Sequence, residues 1–172
     1  MTAVAIGYQL KRVSMIRPLL AIALCLAPLG AVAQNLTLAA LFEVACIAPF
    51  EGFFADTEPE LRNLGFEIYP SDSYAEFAHP ATGISGAYSY DAEDLFCMVH
   101  DPRANTEDAS RAAQVLLGNY YDRTPQLVPA GAGLIAWGVP YGTCCYLTAI
   151  VADRSPSDIR EGAMLTLLVK DK

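Results

Sequence analysis

The chain has 172 residues with 11 Lys and Arg, 19 Asp and Glu and a formal net charge of −8. Lys11, Arg12 and Arg17 precede every acidic residue, so residues 34–172 alone carry 8 basic side chains against 19 acidic ones, a formal charge of −11. A surface of that sign repels phosphate backbones and anionic headgroups, which argues against nucleic-acid binding and membrane-surface binding.

The basic residues at 11, 12 and 17 lead into an apolar run over residues 18–29, then Gly30 and the triplet Ala31-Val32-Ala33. This is the layout of a secretory signal peptide, and cleavage before Gln34 is expected. The run is short for a membrane span, which needs about 20 apolar residues, and Pro28 interrupts it. Leu24 before Cys25 does not suit a lipoprotein signal. The expectation is a periplasmic or secreted protein with no stable membrane insertion after cleavage, and a mature chain, residues 34–172, of single-domain size.

In that chain, Leu38, Leu41, Phe42 and Ala45 recur at helical spacing within residues 36–48, with Asn35 or Thr37 as cap and Pro49 as stop. Thr57-Glu58-Pro59-Glu60 has capping-box form and Gly65 suits a left-handed C-cap, so a second short helix is expected over residues 58–64. Residues 66–69 look extended. Residues 70–83 carry Pro, Ser, Asp and Gly and read as loop around an apolar patch at 74–78. Two strands, 84–90 and 95–100, flank the polar connection 91–94. Asn105 caps a helix starting at Thr106, whose stripe is Ala109, Ala112, Ala113, Leu116 and Tyr120. Residues 133–152 predict a hairpin turning at Val139-Pro140-Tyr141-Gly142, apolar on both faces and so expected to be central in a covered sheet. Ser155-Pro156-Ser157-Asp158 opens a short helix to Glu161. Residues 163–169 close the chain as a strand with Leu165, Leu167 and Val169 inward. The predicted fold class is α+β: a single small domain with a mainly antiparallel sheet of about five strands covered by two main helices.

Cys46, Cys97, Cys144 and Cys145 are an even set in an oxidising compartment, so disulfides are expected. Neighbouring strand side chains point to opposite faces, which disfavours a Cys144–Cys145 bond. The expected pairing therefore joins Cys46 and Cys97 each to one of the adjacent pair; the rival is a Cys46–Cys97 bridge with the pair reduced or linked to each other.

No catalytic signature is present. Cys97 and His100 lie three apart on one predicted strand and face opposite ways. His79 and His100 lack any metal-ligand spacing, no G-x-S-x-G elbow accompanies Ser85 or Ser89, and Gly83-Ile84-Ser85-Gly86 is not a phosphate loop. The acidic pairs Glu58/Glu60, Glu93/Asp94, Glu107/Asp108 and Asp153/Asp158 are explained by caps and turns. No catalytic, metal or cofactor residue is assigned. Tyrosines beside acids are a partner-binding signal, and Tyr88, Tyr90 and Tyr141, on the two hairpins and their turns, are the leading candidates. The expected function is that of an exported, disulfide-stabilised, non-enzymatic binding protein, of inhibitor or immunity type, for a basic envelope protein. The alternatives are a small envelope hydrolase using His79 or His100 with carboxylates, and a structural accessory factor.

Overall fold

A computed structural model describes residues 36–89, 91, 95–152 and 161–171. The expected signal peptide and cleavage point, the short helix expected from Ser155, and Tyr90 lie outside these residues. Among the described residues no helix is long and apolar enough to cross a membrane.

The chain starts with α1 (Leu38–Phe42), where the Thr37 hydroxyl accepts a hydrogen bond from the Ala40 N–H at 3.2 Å. It widens into a π-helical segment, Glu43–Ile47, before Pro49. α2 (Thr57–Asn63) begins one residue earlier than expected: the Thr57 hydroxyl does not cap the helix but donates to the Ala45 carbonyl at 3.1 Å, tying α2 to the turn that carries Cys46. Then follow β1 (Glu67–Pro70), β2 (Tyr74–Ala78), β3 (Ser85–Ser89) and β4 (Phe96–Asp101). α3 (Thr106–Tyr121) is capped as expected, the Asn105 Oδ1 accepting from the Asp108 N–H at 2.8 Å. β5 (Gln126–Leu127), β6 (Ile135–Tyr141), β7 (Cys145–Ala152) and β8 (Ala163–Asp171) complete the chain.

The class is α+β in a single antiparallel sheet, but among the described residues the sheet has eight strands, in the order β1-β2-β3-β4-β8-β7-β6-β5, rather than about five. β1 falls on the stretch that looked extended, whereas β2 comes from residues 70–83, which read as loop, and β5 from the segment between α3 and β6. Ser71-Asp72-Ser73 is a tight connection between β1 and β2, closed by the Ser71 N–H on the Tyr74 carbonyl at 2.8 Å, and β5 is only two residues long. The hairpin expected over residues 133–152 also differs. Pro140 sits inside β6, opposite Tyr146, and the turn is Gly142-Thr143-Cys144 with Gly142 at φ +60°. Pro is tolerated there because β5 pairs only with Trp137 and Gly138, so the outer edge of β6 is open at position 140. The hairpin lies toward one side of the sheet; β4 and β8 hold its middle.

Antiparallel register sorts every strand residue onto one of two faces. On the helix side, one row runs Ile68, Phe77, Gly86, Val99, Leu165, Val151 and the next runs Ala75, Tyr88, Cys97, Leu167, Ala149, Trp137. These pack with Leu41, Phe42, Ala45, Phe54, Leu61 and Leu117 into one core. Gly86 makes room in it: a β-carbon there would lie 2.2 Å from the Phe77 ring and from the Met98 carbonyl. Seven inter-strand steps of about 4.8 Å make the sheet roughly 34 Å wide, and a helix covers about 10 Å of that. Three helical segments are therefore enough for one face, and among the described residues none remains for the other.

Candidate functional site

Three places can carry function: a groove at one end of the helical layer, the face of the sheet opposite that layer, and the turn holding Cys144 and Cys145.

The groove, of roughly 650 Å³, lies between the start of α1 and the start of α3 and is lined by Leu36, Leu38, Asp101, Arg103, Asp108 and Ala112, among others. Its charged centre is internally satisfied. Arg103 grips the buried Asp101 side chain with two bonds of 2.9 Å, one to each oxygen, and its Nη2 also donates to the Leu36 carbonyl at 3.3 Å. The hydrogen bonding to Asp101 helps hold the Arg103 guanidinium charged, above its ordinary range. Asp108 accepts from the Asn105 side-chain amide at 2.8 Å. With both of its oxygens committed to the guanidinium, Asp101 holds Arg103 in place to tie the N-terminal segment to the end of β4.

The histidines of the hydrolase reading are both buried and separately engaged. His79 stacks edge-on to Phe66 with centroids 5.2 Å apart, and its Nδ1 accepts from the Ala81 N–H at 3.3 Å. His100 Nε2 lies 3.2 Å from the Glu161 carbonyl. Neither lines the groove, and among the described residues no group of three His, Cys, Asp or Glu is arranged to hold a metal ion.

The tyrosines expected to face a partner do not form one surface. Tyr88 is 1% exposed and packs between Phe54 and Phe77 in the helix-side core. Tyr141 is half-buried on that same side, edge-on to Phe50 at 5.7 Å. Period-two alternation explains both, since Tyr88 is in register with Cys97, and Tyr141 follows Ile135, Trp137 and Val139 on one face. Tyr90 lies outside the described residues.

The opposite face carries a row of partly buried apolar residues. There Phe96 pairs across to Leu168, Met98 to Thr166, and Thr166 to Ile150, with Tyr74 and Tyr146 at the flanks. Phe96, Met98, Ile150 and Leu168 are each only partly buried, and Ala87, Ala136, Thr148 and Met164 are closed off between them. Tyr146 and Val128 fill the space above Gly138, where a β-carbon would meet Val128 at 2.9 Å. Exposed Glu67 and Glu76 border the patch along β1 and β2. Both faces of the C-terminal hairpin read as apolar in the sequence; that helices cover one of them follows from the helix supply.

The four cysteines pair as Cys46–Cys97 and Cys144–Cys145, which overturns the expected cross-pairing. Cys97 is level with Leu167 and Ala149, and Cys145 lies two strands over and four residues along, about 16 Å away from strand spacing and rise alone. A disulfide spans at most about 7 Å between α-carbons. The Cys46 and Cys97 α-carbons are 5.4 Å apart, beneath the helical layer. The objection to neighbouring cysteines fails because Cys144 belongs to the turn, where strand alternation does not apply.

Comparison with protein-family models, with curated proteins and with solved structures found no match.

Proposed function

We propose that residues 34–172 act as an exported, non-catalytic binding protein of the periplasm or extracellular space, which engages a basic envelope partner through the face of its sheet opposite the described helices. The observation that carries this reading is a partly exposed apolar face, bearing Phe96, Met98, Ile150 and Leu168 between Tyr74 and Tyr146, on a domain of formal charge −11. Aromatic and aliphatic anchors on a domain of strong net charge fit the anatomy of a protein–protein interface: contact at the centre holds the complex, and the overall charge steers the encounter. The candidate positions thus move from Tyr88 and Tyr141, both packed toward the core, to residues on the opposite face.

The test is affinity capture from the organism's own envelope fraction at low and at high salt, using the processed domain and a Phe96→Ala/Leu168→Ala variant whose fold is verified by circular dichroism. The reading expects a basic protein retained by the wild type, more strongly at low salt, and lost from the variant. Retention unchanged by the variant, or a captured partner that is acidic, would contradict it.

A further inference from the structure

The two disulfides differ in what they do for the fold. Cys46–Cys97 is fully buried and closes a loop of sequence separation 51, so it restrains the unfolded chain strongly. Cys144–Cys145 joins sequence neighbours, closes no loop of consequence, and sits on a turn beside Gly142 and Thr143. Its entropic contribution to stability is small. Cys144 is exposed, whereas Cys145 is buried, on the first residue of β7. The Cys145 sulfur lies 3.7 Å from Asp171 Oδ1, on the facing end of β8.

We propose that the Cys144–Cys145 turn is a surface thiol–disulfide exchange site that accepts an electron pair from external dithiols while the rest of the fold stays closed. The exposed Cys144 sulfur is the one open to attack. A thiolate of the dithiol forms a bond to it, the Cys144–Cys145 bond breaks, and the electron pair leaves with the Cys145 sulfur, which takes up a proton. The second thiol of the donor then attacks the mixed disulfide at the donor's own sulfur. Cys144 is released, takes the second proton, and the donor departs as its cyclic disulfide. Two electrons and two protons have moved from donor to protein, and the donor is oxidised.

Asp171 gives the site a direction. A disulfide sulfur carries no proton to donate, but the reduced Cys145 thiol meets a carboxylate oxygen in reach, so the opened state gains a hydrogen bond that the closed state lacks. The buried Cys46–Cys97 bridge is out of reach of a reagent in solution as long as the helical layer stays docked.

The experiment treats the oxidised processed protein with dithiothreitol in native buffer, quenches with iodoacetamide at timed intervals, and maps the alkylated cysteines by mass spectrometry. Labelling of Cys144 and Cys145 is expected to run on the order of 100-fold ahead of Cys46 and Cys97, with an unchanged far-ultraviolet spectrum. Opening of both bridges together, or of Cys46–Cys97 first, overturns the proposal. A second arm exposes Cys145→Ser and Cys144→Ser, each with Cys46–Cys97 intact, to oxidised glutathione. Adduct on Cys144 in the first variant and little on Cys145 in the second is expected. Equal adducts, or adduct on Cys145 alone, would contradict the assigned direction of attack.

Discussion

Replacing Cys46 and Cys97 together by Ala removes the bridge that ties the π-helical turn to the middle of the sheet. The closed loop has a sequence separation of 51. In the chain-entropy description the loss is about 14 cal/mol/K, or about 4 kcal/mol at 25 °C, before any cost from the two buried sulfurs. Both sulfurs lie in fully buried residues next to Ala45, Leu167 and Tyr88, so packing adds to the loss rather than offsetting it. The Cys144→Ala/Cys145→Ala variant is the internal control, because the same relation assigns a bridge between neighbours only about 1 kcal/mol. Reversible urea unfolding followed by Trp137 fluorescence gives both numbers. With a urea slope of about 1–3 kcal/mol per molar for a domain of this size, the buried-bridge variant should lose about 1.3–4 M in midpoint. Equal losses from the two double variants would refute the assignment of the structural role to Cys46–Cys97.

Gly86→Ala should destabilise by about 1–3 kcal/mol in the same assay, since the added methyl meets both the Phe77 ring and the Met98 backbone carbonyl at 2.2 Å. Arg103→Ala should cost about 2 kcal/mol by leaving the buried Asp101 carboxylate without its charged partner, and should raise amide exchange at Leu36 to Leu38, whereas Arg103→Lys should restore part of the loss. Burial first, then nearby Glu51 and Tyr141, push the Tyr121 hydroxyl well above its ordinary value of 10.0. The unfolded chain then ionises before the folded one, so stability should be intact below about pH 10 and fall above it, and Tyr121→Phe should flatten that alkaline limb.

Local chemistry was the most legible part of the sequence. Asn105 before an acidic first turn marks α3, and Leu165 and Leu167 at period two mark the inward face of β8, because caps and alternation act over three or four residues. Where two local signals competed, the wrong one was the more conspicuous. Pro140-Tyr141-Gly142 looks like a turn, yet Trp137, Val139 and Tyr141 continue one alternating face through it, and an unpaired edge removes the penalty on Pro. β2 was hidden because the strand between Ser71-Asp72-Ser73 and Pro80 is only five residues long. The cystine pairing and the candidate face were not legible, since both depend on strand order. Only once β8 is known to lie between β4 and β7 does Cys97 fall out of reach of Cys145, and Phe96 come beside Leu168.

Association kinetics of residues 34–172 with whatever basic protein the capture returns, measured from low salt through physiological salt, test the binding account most directly. Screening shortens the Debye length to about 8 Å near 0.15 M, so the association rate should fall as salt rises while the dissociation rate changes little. Phe96→Ala/Leu168→Ala should raise the dissociation rate by roughly 30-fold or more, the effect of losing about 2 kcal/mol of anchoring contact. An association rate indifferent to salt, together with a dissociation rate indifferent to those two substitutions, would contradict it.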